Sequence, residues 1–286
     1  MNLPEPLIAS LAGGTLVPYL GPGVLAVAPD YPVPASPEAL VAQLTARVSV
    51  PHKIRNRLTQ AAQFIENFKH RKTLVEQMNA AFAATPVPGA LHAWLAAQGF
   101  PLIVDTWYDG AMAAALQARG DAWGEVQGLS QSEHFGQWTG WYDAAGEAVG
   151  EPAAVWQTVL YKPIGSRRPA ANYLVSDADY VEVLTEIDIQ TPIPVRVQAL
   201  RSDRNFLFLG CRFNDQLARS FARQIMKRSS HMHWAVLAEA PTRMEARFLQ
   251  EQNITPIAAS LEAFVAVLTA CQRDVARVAG AMASAT

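Results

Sequence analysis

Six short runs, most of them apolar at nearly every position, recur along the chain: LVPYLG (16–21), PLIVDT (101–106), TVLYKP (158–163), FLFLG (206–210), HWAVLA (233–238) and ITPIAA (254–259). A strand with one wet face alternates apolar and polar residues. A continuous apolar run instead needs cover on both faces, as in a parallel sheet flanked by helices. The intervening segments supply such helices. In NDQLARSFARQIMK (214–227), Leu217, Ala218, Phe221 and Ile225 recur at three- and four-residue spacing, with Asn214 or Asp215 placed to cap the amino end. Residues 37–98 carry helical periodicity over a stretch too long for one crossover helix, so an inserted helical layer is expected there. Leu261 to Met282 reads as an Ala-rich amphipathic helix with Leu261, Phe264, Val265, Leu268, Cys271 and Val275 on one side, a surface suited to self-association into a homo-oligomer. Residues 120–156, rich in Gly and carrying Trp123, Trp138 and Trp141, read as an irregular loop or lid. The expected fold is α/β: one domain over 1–286, with a Rossmann-like parallel sheet of about six strands, helices on both faces and the inserted helical layer.

Composition narrows the function classes. With 286 residues, half of them apolar, the chain has ample material for a core, and no run of apolar residues is long enough to span a bilayer. The 23 basic and 25 acidic residues leave a net charge of −2, without the positive excess expected of a nucleic-acid binder. The two cysteines, Cys211 and Cys271, are far apart and form no CxxC pair, so neither a zinc ribbon nor a disulfide framework is expected. The opening MNLPEPLIAS has no basic segment leading into a long apolar one. No export signal is therefore expected, and a bacterial cytoplasmic location is.

Ligands of open parallel sheets bind beyond the carboxyl ends of the strands. Four such ends carry candidate residues. Gly21-Pro22-Gly23 could bring backbone N–H groups to a phosphate or make a plain tight turn, Pro22 having no N–H to offer. Asp105-Thr106-Trp107-Tyr108-Asp109 crowds two carboxylates, a hydroxyl and a phenol into one turn, where Asp109 also suits a helix cap. Lys162-Pro163-Ile164-Gly165-Ser166, followed by Arg167 and Arg168, offers positive charge beside a Gly-Ser turn, or a solvated loop. Gly210-Cys211-Arg212-Phe213-Asn214-Asp215 suits a ligand-facing turn or a helix start.

Taken in order, these segments resemble the SIR2-like family, in particular its short prokaryotic NAD-hydrolase branch. Gly21-Pro22-Gly23 stands where that branch has a GAG-type loop, Asp105 to Asp109 where it has TTNYD, and Lys162 to Ser166 where it has KLHGS. Ser176-Asp177-Ala178-Asp179-Tyr180 matches its T-x-x-D-Y segment, Gly210 to Asp215 its G-Y-S-x-x-D, and His92 to Leu95 its histidine followed by leucines. The resemblance runs from about residue 10 to residue 260. It implies a nucleotide cleft binding NAD or ADP-ribose through Gly21, Pro22, Gly23, Thr106, Trp107, Asp109, Lys162, Gly165, Ser166, Gly210, Cys211 and Asn214, with no zinc.

The family's hydrolases use the asparagine of TTNYD and the histidine of KLHGS to break the nicotinamide–ribose bond. Here those positions hold Trp107 and Ile164. Isoleucine accepts no proton, and an indole offers one donor where asparagine offers a donor and an acceptor. The expectation is a pseudoenzyme that binds a nucleotide in a regulatory or sensing role without hydrolysing it. One alternative is an active hydrolase whose catalytic groups have moved, with Asp105 and His134 as substitutes. His231 and His233 start a strand at the far end, and His92 suits packing or capping. The other alternative is a scaffold with a vestigial cleft that binds a protein partner through the Trp-rich segment 120–156.

Overall fold

In chain order the strands are β1 Leu16–Leu20, β2 Leu102–Asp105, β3 Trp123–Gly128, β4 Thr139–Asp143, β5 Ala148–Val149, β6 Thr158–Lys162, β7 Gly165–Ser166, β8 Asn172–Tyr173, β9 Asn205–Leu209, β10 His233–Leu237 and β11 Ile254–Ala258. The helices are α1 Glu5–Ala12, α2 Pro37–Arg47, α3 Leu58–Ala81, α4 Ala90–Ala97, α5 Ala111–Arg119, α6 Asp177–Glu186, α7 Val195–Arg201, α8 Gln216–Met226 and α9 Arg243–Glu251, and a 3₁₀ turn spans Pro22–Val27. The structure, a computed structural model, describes residues 3–28, 31–120, 122–186 and 192–270. Residues 261–270 are helical; the remainder of the carboxyl-terminal helix expected to reach 282, with Cys271 and Val275, lies outside the described residues.

Nine strands form one sheet in the order β11-β10-β9-β1-β2-β6-β3-β4-β5. The first seven of that order run parallel, and β4 and β5 close the edge antiparallel. All six apolar runs are strands of the parallel part. In β1, β2, β6, β9 and β10 the continuous apolarity follows from burial on both faces, with side chains alternating between two cores, whereas in β11, at the sheet edge, only Ile254 and Ile257 are buried. Val17, Tyr19, Phe206 and Phe208 face α2, α3 and α8. Leu16, Leu20, Leu207 and Leu209 face α4, α5 and the helix at 261–270. Over 37–98, where one inserted helical layer was expected, the helices are divided: α2 and α3 pack on one core and α4 on the other.

Two expectations need correction. The sheet has nine strands rather than about six, and the segment 120–156 is not an irregular lid: it contributes β3, β4 and β5. In β3, WGEVQG, polar Glu125 and Gln127 are buried, and its glycines make room for neighbours. A Cβ on Gly124 would lie 2.3 Å from the Trp156 ring, and one on Gly128 would lie 2.1 Å from Pro163 O. A strand composed this way shows neither an apolar run nor alternation. The tryptophans pack against the core: Trp123 is buried, and Trp138 and Trp141 lie partly buried against it, Trp141 with its ring 6.3 Å from that of Trp156. No helix among the described residues is long and apolar enough to cross a membrane.

Candidate functional site

Strand order changes direction at β1: the chain leaves it toward β2 on one side, while β9 and then β10 extend the other. Such a switch point opens a crevice beyond the strand ends. A cleft of about 670 Å³ lies there, lined by Gly21, Pro22, Gly23, Thr106, Trp107, Ile164, Gly210, Cys211 and Asn214. Of the residues anticipated for nucleotide binding, it thus gathers those that follow β1, β2 and β9.

The glycines are needed for a close crossing of two loops. A Cβ on Gly21 would lie 2.5 Å from Gly210 O, and one on Gly23 would lie 2.9 Å from the same atom. Gly210 has φ +65°, and its added Cβ would meet Val24 N at 2.3 Å. The loop's donors are engaged within the protein. Gly21 N donates to Leu209 O at 2.9 Å, Gly23 N to Gly210 O at 3.0 Å and Val24 N to Gly21 O at 3.2 Å. With Pro22 lacking an N–H, this loop shapes the cleft wall and its donors are spent within the protein.

Helix ends supply other N–H groups to the wall. The amino ends of α2, α3 and α8 all reach the cleft, through Ser36 to Glu38, Arg57 to Gln60 and Asp215 to Ala218. Ser36 Oγ accepts from Ala39 N, and Asp215 accepts from Leu217 N and Ala218 N, so α2 and α8 are capped by their own side chains. The first turn of α3 has no side-chain cap. Its N–H groups, with the positive end of the helix dipole, are available to an anion beside Arg57. Sequence reading passed over Arg57, Leu58, Thr59 and Gln60. The signal present was the start of an apolar period at Leu58 after the polar stretch HKIRNR, but nothing local tied that start to strand ends far along the chain.

Lys162, Ser166, Asp105 and Asp109 stand behind the cleft wall and hold its shape. Lys162 is 1% exposed; its Nζ donates to Asp105 Oδ2 at 2.7 Å and to Asp109 O at 2.8 Å. Burial pulls its ammonium down, but Asp105, Asp109 and Glu125 outweigh that and hold it charged. Burial pushes the Asp105 carboxyl up to about 6, with Lys162 drawing it back. Ser166 Oγ donates to Tyr108 O at 3.2 Å, Arg167 N to the same carbonyl at 3.1 Å, and Asp109 Oδ1 accepts from Ala111 N at 2.8 Å to start α5. The K-P-I-G-S segment therefore clamps the D-T-W-Y-D turn from below. Neither Lys162 nor Gly165, Ser166, Asp109 or Asp105 lines the cleft, and His134, on the β3–β4 connection, does not either.

On the cleft side of that clamp, Trp107 is 4% exposed, with Nε1 donating to Pro34 O at 2.7 Å, and its ring packs edge-on against Phe82. Ile164 is buried in the same core. Thr106 Oγ1 donates to Leu20 O at 2.8 Å. Burial pushes the Cys211 thiol well up, so it is a packed thiol and no thiolate nucleophile. No histidine among the described residues lines the cleft. His92 Nδ1 accepts from Gly89 N at 3.2 Å, and His233 Nδ1 accepts from Phe206 N at 3.0 Å, both in structural roles. Tyr180 of S-D-A-D-Y lines the cleft, whereas Asp179 accepts from Val175 N and Ser176 N and pairs with Arg71 of α3 at 2.8 Å. Among the described residues, no group of three or more His, Cys, Asp or Glu could hold a metal.

Residues 101–257, more than half of the chain, match the profile of the SIR2-like domain. The match runs from the start of β2 into β11. Comparison with curated proteins yields no match.

Proposed function

The chain belongs to the SIR2-like domain family, whose chemistry is NAD-related, and we propose that it is a member that binds NAD, ADP-ribose or a related nucleotide without hydrolysing it, in a regulatory or sensing role. The observation that carries this reading is the composition of the cleft wall. Its volume is in the range that takes a small organic ligand, and the uncapped amino end of α3 with Arg57 suits phosphates. Where a nicotinamide–ribose bond would be broken, the wall offers Trp107 and Ile164.

NAD, when bound, supplies an electrophilic ribose carbon at its bond to nicotinamide. Breaking that bond calls for a group that accepts a proton from a water or a ribose hydroxyl, worth about 10²–10⁴-fold in rate. Ile164 accepts none. The Trp107 donor is spent on Pro34 O, and its indole occupies volume that an asparagine would leave open. Asp105, a nominated substitute base, is tied to Lys162 behind the wall. Arg57 and the first turn of α3 would hold phosphate oxygens, and Thr106, Gly210 and Asn214 would border the sugar.

Co-crystallisation with ADP-ribose tests the occupancy. Density for its diphosphate at the amino end of α3 supports the reading; a cleft that stays empty behind Trp107 at saturating nucleotide overturns it.

A further inference from the structure

A second cleft, of about 690 Å³, lies between α5, β3, the β4–β5 turn and the segment after β7. We propose that it is a binding site for a small organic anion, whose carboxylate or phosphate is held by Arg167 and Arg168 and whose neutral oxygen accepts from the indole N–H of Trp123.

Three observations converge on it. Trp123 lines the cleft at 4% exposure, and its buried Nε1 has no hydrogen-bond partner. Buried polar atoms are nearly always partnered, because an unmet donor retains the full cost of leaving water. Arg167 lines the same cleft, and its buried Nε is likewise without a partner. Among the described residues, neither the Arg167 nor the Arg168 guanidinium forms an ion pair, whereas Arg71 and Arg212 each hold more than one carboxylate. Both line the cleft, and an unpaired guanidinium is a fork for a planar carboxylate or a phosphate.

The rest of the wall combines small residues with two carboxyl groups, of which Asp143 has its Oδ1 engaged, accepting from Ala145 N and Glu147 N, both at 2.9 Å. Ala113 and Ala114 of α5 leave the cleft wide on one side. Glu125 is buried on the other, with Oε1 accepting from Gln127 Nε2 at 2.6 Å. The groups around that carboxyl are Lys162 on β6 and Asp105 on β2. Burial pushes the Glu125 carboxyl up to about 7, so in its protonated form it presents a donor rather than a repelling charge. This site shares no lining residue with the nucleotide cleft.

The test follows the indole N–H resonance of Trp123, assigned with Trp123→Phe, during titration of the full chain with hippurate and, separately, glycerol 3-phosphate. A saturable downfield shift is expected with one of them or both, hippurate alone identifying a carboxylate ligand and glycerol 3-phosphate alone a phosphate ligand. Arg167→Gln/Arg168→Gln should weaken that binding about tenfold or more, and Arg57→Gln, in the other cleft, should leave it unchanged. Calorimetric titration of the wild type and the double arginine variant measures the same loss without the resonance assignment. The proposal is overturned if neither anion binds, if the double variant binds as the wild type does, or if neutral N-methylbenzamide produces the same shift.

Discussion

Lys162 and Asp105, far apart in sequence, meet as a 2.7 Å ion pair with both side chains almost wholly buried, directly behind the turn that carries Trp107. Each charge there depends on the other. Lys162→Met leaves the Asp105 carboxylate buried and unpaired, and should cost about 3–5 kcal/mol. Adding Asp105→Asn to it should restore most of the loss, since removing both charges ends the desolvation penalty. Urea unfolding of the two variants measures both effects. A single variant as stable as the wild type would refute the structural role assigned to Lys162.

Gly210→Ala introduces strain at one point of the cleft wall. The residue sits at φ +65°, and the new Cβ would lie 2.3 Å from Val24 N, a backbone atom that cannot swing aside. A loss of about 2 kcal/mol or more is expected in thermal unfolding, with the loops after β1 and β9 driven apart. Nucleotide affinity should fall with it.

Glu125 makes stability depend on pH in a definite direction. Burial raises its carboxyl from the ordinary 4.5 to about 7, so the folded chain holds this proton more tightly than the unfolded chain. Its contribution is complete below pH 4.5 and is lost as pH rises to about 7. Glu125→Gln has no proton to lose and can still accept from Gln127. It should therefore gain on the wild type across that window, reaching on the order of 2–3 kcal/mol on its alkaline side. Unfolding curves at acid and alkaline pH check the sign; a gap that shrinks as pH rises contradicts it.

Arg57 is exposed at the amino end of α3, so Arg57→Gln should leave stability within about 0.5 kcal/mol. Affinity for ADP-ribose should nevertheless drop about tenfold, through loss of charge-assisted hydrogen bonds to phosphate. Calorimetry at two salt concentrations measures the loss and shows whether the salt dependence falls with it.

The parallel sheet was legible because all but its edge strand β11 are covered on both faces and therefore leave apolar runs such as LVPYL and FLFL. Trp123–Gly128 was not, because its glycines yield to Trp156 and Pro163 while Glu125 and Gln127 are buried as a hydrogen-bonded pair. In the cleft, the loops of Gly21 to Gly23 and Gly210 to Asn214 could be found from their positions after strands. The local sequence could not reveal that the N–H groups of Gly21 and Gly23 are spent on Leu209 and Gly210, nor that an uncapped helix end, Arg57 to Gln60, lines the cleft. Both depend on partners distant in sequence. Lys162 illustrates the same limit: a lysine after a strand suits a ligand or a buried partner equally, and Asp105 decides the matter.

The cleft is proposed to hold a nucleotide without cleaving it. Titration calorimetry with NAD, with nicotinamide assayed in the same cell, tests both halves together. Saturating heat with no nicotinamide released is expected, and tighter binding of NAD relative to ADP-ribose once Trp107→Asn opens the wall. Continuous heat accompanied by nicotinamide release would contradict it, because Trp107 and Ile164 could then not mark the loss of hydrolysis.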